Sequence, residues 1–187
     1  MFHALLHIGR SALDGRGVFA SVDLPPDSVV EVAPVLLLHR ADGDHAGSLA
    51  RYVFEWDVDE DETAYAMALG WGAMFNHSGT PSCRYLRADD DHTIAHLAGD
   101  ASPPDVANHL APALVFVTVR PVAAGEELTI DYATQTTHPE FELHCNCGSP
   151  MCRKTVTGLD WTDPEWRQRY RGHVVPAVEQ AIARWAG

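Results

Sequence analysis

Three cysteines carry the most specific chemistry in this sequence. Cys145, Cys147 and Cys152 form a Cys-x-Cys-x4-Cys run, closed by Gly148-Ser149-Pro150-Met151. Thiolates at 145 and 147 can flank one metal, and the Gly-Ser-Pro turn returns Cys152 to it. Zinc is the natural occupant of a thiolate site and takes four ligands. The other reading of the run is three reduced, buried thiols. The fourth cysteine, Cys83, stands far upstream. A disulfide framework spreads its cysteines along the chain, so this clustering fits a metal and a reducing compartment.

Three further stretches hold groups able to bind or react. Gly15-Arg16-Gly17 precedes an apolar run, where a tight turn can bring backbone close to a ligand. Asn76-His77-Ser78 sits between Phe75 and Gly79, with Pro81 and Cys83 close behind. Gly125-Glu126-Glu127-Leu128-Thr129-Ile130-Asp131-Tyr132 ends in an Asp-Tyr pair. A tyrosine hydroxyl donates and accepts hydrogen bonds while staying neutral at pH 7. Each stretch alone has an ordinary explanation as a turn or as packing.

Their order is more specific than any one of them. G-x-G, N-H-S with a nearby proline, G-E-E-L-x-x-D-Y and C-x-C-x4-C follow one another over roughly residues 10 to 155. In this the chain resembles the SET domain of protein-lysine methyltransferases followed by its cysteine-rich post-SET segment, and most of all the short, stand-alone SET proteins of bacteria. The resemblance implies a mostly β fold of small curved sheets with a knot-like crossing of the N-H-S and D-Y segments. It implies S-adenosylmethionine as cofactor, contacted by Gly15, Arg16, Gly17, Asn76, His77 and Tyr132. Tyr132 would stand where methyl donor meets lysine, and Tyr85 matches a channel tyrosine of some members. Phe141 or a neighbour would stack on adenine.

The chain also departs from that family's pattern. The fourth zinc ligand is commonly a cysteine directly after N-H-S, and here that residue is Gly79. Cys83, four residues on, either folds back to join Cys145, Cys147 and Cys152 or packs as a small apolar residue. Ala33 and Ile130 stand where other members place aromatic residues that shape the channel, which leaves the number of methyl groups added open.

These residues need elements to hold them. Short strands are expected over 18–22, 29–38 (with an edge or bend at Pro34), 52–56, 114–120 and 128–130. Residues 62–69 read as a short helix or a bend. Arg84–Leu86 and Thr93–Leu97 read as strands paired across Asp89-Asp90-Asp91. Asp57–Glu62 reads as an acidic turn, Ala41–Ser48 as a loop and Ala98–Pro112 as a surface excursion. Thr162 or Asp163 caps a helix with Pro164 at its first position. A second helix starts at Pro176, with Val175, Val178, Ile182 and Trp185 on one face. The expected division is a SET domain over 1–137, a post-SET zinc segment over 138–158 and a short helical tail over 159–187.

Composition narrows the function. The 187 residues carry 13 Lys and Arg against 26 Asp and Glu, a net charge of −13, and 46% are hydrophobic. This is a globular profile. There is no apolar run of membrane-spanning length, and residues 1–10 do not read as a signal peptide, so a cytoplasmic site is expected. The acidic balance argues against direct nucleic-acid binding and favours a protein substrate with an accessible lysine in a basic segment. The leading expectation is methyl transfer to a protein lysine. The competing readings are a catalytically silent SET-fold module binding a basic tail, and a zinc-stabilised protein dimerising through its tail.

Overall fold

The structure, a computed structural model, describes residues 5–39, 41, 49, 52–56, 63–98 and 110–185. The acidic turn and most of the 41–48 loop and the 98–112 excursion lie outside these residues. Among the described residues eleven strands, β1 (Leu6–Arg10), β2 (Arg16–Ala20), β3 (Val29–His39), β4 (Val53–Glu55), β5 (Thr63–Ala68), β6 (Asn76–His77), β7 (Cys83–Ala88), β8 (Ala113–Thr118), β9 (Glu127–Ile130), β10 (Glu142–His144) and β11 (Thr155–Thr157), build three sheets. Their orders are β1-β2-β9-β6, β4-β5-β3-β8-β7 and β10-β11. The fold is mostly β, as expected. Among the described residues no helix is long and apolar enough to cross a membrane.

Strand β3 links two halves of the five-stranded sheet. Residues Val29 to Pro34 pair with β8, whereas Val35 to His39 pair with β5. Pro34 therefore lies in an interior strand rather than at an edge. Its missing N–H falls where one ladder ends and the next begins, so little pairing is lost. All six residues of β8, the in-sheet neighbour of the first half of β3, are buried; such a run suits a strand covered on both faces.

Two segments differ from expectation. Residues 63–68 form strand β5 rather than a helix or bend, because Ala66 and Ala68 alternate inward with the period of a strand. Thr93–Leu97 belongs to helix α1 (Asp91–Ala98), not to a hairpin. Asp90 accepts the Thr93 N–H at 2.7 Å, a helix cap. Ile94 is then buried against β8 residues Ala113, Val115 and Val117. Capping and this one apolar anchor outweigh the β preference of Thr93 and Ile94.

The C-terminal segment packs into the same core as the sheets. Asp163 caps helix α2 (Pro164–Arg169) by accepting the Glu165 N–H, with Pro164 in the first turn. Helix α3 spans Pro176–Trp185. Trp166, Tyr170, Val175 and Val178 are buried with Val18, Leu128 and Phe116. Of the expected apolar face, Trp185 is the exception: it is 63% exposed, though its ring meets Trp161 edge to face at 5.8 Å.

Candidate active site and metal centre

Strands β6 and β9 run parallel, with Asn76 opposite Thr129 and His77 opposite Ile130. This short pairing brings N-H-S beside the start of D-Y. It is held by Ser78 N–H to the Ile130 carbonyl at 3.0 Å and Ser82 N–H to the Thr129 carbonyl at 3.1 Å. The turn Trp71–Met74 leads into β6, fixed by Glu31, which accepts the Trp71 N–H at 2.7 Å.

Asn76 ties this crossing to the Gly15–Gly17 turn. Its Nδ2 donates to the carbonyls of Asp14 (3.1 Å) and Arg16 (3.0 Å) and to Glu127 Oε1 (2.7 Å). Glu127 Oε2 accepts from the Ser11 hydroxyl at 2.8 Å. A Cβ at position 17 would collide with Glu127 Oε1. Glycine at 17 thus lets a carboxylate and an amide approach the turn together.

A groove of about 1020 Å³ opens beside these residues. Gly15, Arg16, Asn76 and Tyr132 form part of one side, Val53, Glu55 and Tyr65 part of another, and Phe141 also faces it. Gly17 and His77 are not on its wall. His77 is 7% exposed, and its Nδ1 accepts the Tyr132 N–H at 3.2 Å. Burial lowers the His77 pKa below the usual 6.5; Asp131 opposes this and Arg153 adds to it. The Tyr132 hydroxyl donates to the Phe75 carbonyl at 2.8 Å.

Tyr85 lies elsewhere. It packs between Phe54 (5.2 Å, edge to face) and Phe116 (5.8 Å), and it is not among the groove-lining residues. Its hydroxyl has no hydrogen-bond partner among the described residues. Burial, with Glu55 nearby, pushes its pKa well up.

The sulfurs of Cys145, Cys147 and Cys152 lie within 4.8 Å of one another. Zinc–sulfur bonds of about 2.3 Å place tetrahedral sulfurs roughly 3.8 Å apart, so the three fit one ion after a small contraction. Burial raises the Cys145 thiol to about 12. Burial also opposes ionisation of Cys147, yet the Gly79 N–H and Ser149 bring that thiol down to about 6. The Gly79 N–H stands 3.5 Å from Cys147 Sγ. A Cβ on Gly79 would lie 2.6 Å from the Met151 carbonyl, so the cysteine loop is seated directly on the residue after N-H-S.

Cys83 does not join this cluster. It is 2% exposed on β7, its sulfur faces the Ser82 hydroxyl at 3.9 Å, and burial pushes its thiol to about 12. Strand β7 is committed along its length to β8, from Cys83 opposite Thr118 to Ala88 opposite Ala113, which holds Cys83 in the core. The expectation of a fourth ligand at Cys83 is therefore replaced by its packing role.

Sequence reading missed an ionic group beside the crossing. Asp131 accepts from Arg153 at 2.8 and 2.9 Å, from the Tyr170 hydroxyl at 2.6 Å and from Ala133 N–H at 3.1 Å. Arg153 Nε also donates to Asp160 at 2.7 Å. The one available signal was adjacency: Asp131 precedes Tyr132, and Arg153 follows Cys152.

The model of the SET domain family matches residues 15–133, well over half the chain. A Schizosaccharomyces pombe histone-lysine N-methyltransferase, H3 lysine-37 specific, is 27% identical over 130 residues, covering 68% of this chain and 72% of that protein. A Mycosarcoma maydis histone-lysine N-methyltransferase, H3 lysine-4 specific, is 30% identical over 158 residues, which is 80% of this chain but 9% of its relative. The chain likewise spans 5% of Homo sapiens histone-lysine N-methyltransferase 2B, at 28% identity over 78% of its own length. In three dimensions it is similar to a Plasmodium falciparum protein described as a histone methyltransferase, with TM-score 0.50 and 19% identity over 68% of this chain and 91% of the other. That likeness concerns the fold. Together with the convergence of Gly15, Arg16, Asn76 and Tyr132 on one groove, the match over residues 15–133 identifies the chain as a member of the SET-domain family.

Proposed function

We propose that this protein transfers a methyl group from S-adenosylmethionine to the side-chain amine of a protein lysine. The observation that carries the reading is that the Gly15-Arg16 backbone, Asn76 and Tyr132 share one groove. The groove has the size of a small-molecule site with room to spare, and Phe141 offers it an aromatic face. Gly15, Arg16, Asn76 and Phe141 would hold the cofactor. When bound, S-adenosylmethionine supplies an electrophilic methyl group beside a cationic sulfonium.

The chain's own task is to deliver a neutral amine in line with that methyl. A lysine with the reference pKa near 10.4 is neutral in only roughly one case in 2,500 at pH 7. Desolvation in the groove disfavours the ammonium form, and the lysine's proton leaves to solvent. The Tyr132 hydroxyl, held as donor by the Phe75 carbonyl, is a neutral polar group that would orient the amine. Acceleration comes from placement and preorganised polarity, with no dedicated general base.

Zinc at Cys145, Cys147 and Cys152 would fasten the post-SET segment (138–158) against the SET domain (1–137), with the 159–187 tail packed behind. Asp14, Glu55, Glu140 and Glu142 on the groove against Arg16 support a basic substrate segment. The relatives named for histone lysines make histone-like proteins the first substrates to try. Four free cysteines support a reducing site such as the cytoplasm. The test is radiolabel transfer from S-adenosylmethionine to lysine-rich proteins by the zinc-replete chain. Lysine-specific labelling that is lost in the presence of excess S-adenosylhomocysteine supports the reading. Absence of transfer across histone, ribosomal and whole-lysate substrates, with cofactor binding also absent, overturns it.

A further inference from the structure

The group around Asp131 has a feature that the reaction, as derived so far, does not use. An aspartate next to a buried histidine ordinarily accepts an imidazole N–H, as the aspartate of a Ser-His-Asp triad does. Here it does not. His77 Nδ1 lies 3.6 Å from Asp131 Oδ1, beyond hydrogen-bond distance. The same nitrogen instead faces a donor, the Tyr132 N–H at 3.2 Å. A nitrogen that accepts an N–H carries a lone pair, so the ring proton belongs on Nε2. Asp131 meanwhile has both oxygens filled by Arg153, and Tyr170 and Ala133 take further lone pairs.

We propose that Arg153 is a positioning residue for methyl transfer. By occupying both oxygens of Asp131 it keeps His77 Nδ1 unprotonated, and that nitrogen then anchors the backbone of Tyr132. The inference rests on the reading of Tyr132 as the residue at the methyl-transfer point.

The charges that face His77 are Asp131, Arg153 and Asp160. The two carboxylates attract a proton to the ring, while Arg153 and burial repel it. Remove Arg153, and the unneutralised Asp131 draws a proton onto Nδ1. The protonated nitrogen then turns to Asp131 and meets the Tyr132 N–H donor to donor. Tyr132 loses the contact that fixes the start of its turn, Tyr132–Gln135. Its hydroxyl, held at the far end by the Phe75 carbonyl, no longer has a fixed base. Arg153 is well suited to the role: its guanidinium spans both oxygens of Asp131 and reaches Asp160 as well. Its place directly after Cys152 means that the cysteine segment delivers this charge to the crossing.

The test uses the full-length, zinc-replete protein with ¹⁵N-labelled histidine, the His77 ring being assigned through its backbone. In the wild type, His77 should show an unprotonated Nδ1 and a protonated Nε2 across roughly pH 6 to 8, the range in which histidines titrate. In Arg153→Gln, His77 should gain a proton on Nδ1 within that range. kcat should fall at least about tenfold at the acid end, while KM for S-adenosylmethionine stays within about twofold. Arg153→Lys, which keeps the charge but not the fork, should restore a neutral His77 and most of kcat. Zinc content is measured in each variant, to separate the effect from loss of the metal. A wild-type His77 protonated on Nδ1 overturns the proposal, and that arm needs no variant to fold. It is equally overturned if Arg153→Gln, folded and zinc-loaded, leaves the His77 titration and the kcat–pH profile unchanged, or shifts the titration alone. If the wild type methylates no protein, the functional reading fails, while the ring-nitrogen measurement still decides whether Arg153 governs His77.

Discussion

Asn76 and Glu127 meet side chain to side chain at 2.7 Å, each presented by one of two parallel strands. The contact closes a loop of polar bonds running from Ser11 through Glu127 and Asn76 to the Asp14 and Arg16 carbonyls. The Gly15-Arg16 backbone is thereby held from behind by a side chain that also faces the groove.

Replacing Asn76 with Ala should weaken S-adenosylmethionine binding by roughly 10- to 100-fold. That is the range expected for losing a hydrogen bond to a charged group, about 1.5–3 kcal/mol. Glu127→Gln, which keeps an acceptor oxygen, should cost less. Titration calorimetry on folded variants reads both, and wild-type affinity in Asn76→Ala would remove Asn76 from the cofactor site.

Tyr132→Phe deletes the hydroxyl bonded to the Phe75 carbonyl while keeping the ring beside His77. We expect kcat to fall by about 100-fold, the scale of losing one preorganised polar group at a reacting centre. Cofactor affinity should stay within about threefold. Single-turnover methyl transfer checks this.

The cysteine cluster predicts about one bound zinc per chain, lost in Cys147→Ser and on treatment with a strong chelator, with a lower Tm in both cases. Cys83→Ala should keep the full zinc content, because that thiol sits in the core against Ser82. Metal analysis of the two variants side by side discriminates the two cysteine environments. Loss of zinc in Cys83→Ala would contradict the placement of Cys83.

Stability should fall on the acid side. The His77 pKa is depressed, chiefly by burial, so below the ordinary value of 6.5 the unfolded chain binds a proton that the folded chain refuses. The stabilisation is complete above about pH 6.5 and is lost as pH falls towards the folded-state pKa. His173, depressed by burial and by Arg84, acts in the same direction. Urea midpoints between about pH 8 and 5 should drop with acidity, and His77→Asn should flatten that slope whatever its absolute stability. An unchanged slope would count against a buried neutral His77.

The motifs were legible in the sequence because each is local. Gly15–Gly17, Asn76-His77, Tyr132 and the cysteine run announce themselves by spacing, and the structure brings the first three stretches together. What the sequence concealed depends on contacts between distant residues. Arg153 and Asp131 are far apart in the chain, and each looks like a surface charge until β10 and β11 fold the cysteine segment back. Cys83 sits close enough along the chain to invite a ligand role, yet its pairing with Thr118 fixes it in the core. Thr93 and Ile94 read as strand by residue type, and the Asp90 cap overrides them. Tyr85 matches a channel position only by resemblance, and the structure places it between Phe54 and Phe116.

The change of partners along β3 has a bearing on how the groove is gauged. Val53, Glu55 and Tyr65 belong to the wing that β3 carries beyond Pro34, while the β8 side of the same strand is anchored in the body of the protein. The clearance between that wing and the Tyr132 side is therefore set by the coil of one continuous strand, as the opening of tongs is set by the curve of a single bent spring. A residue that stiffens or straightens the chain at Pro34 therefore resets this clearance along the whole groove.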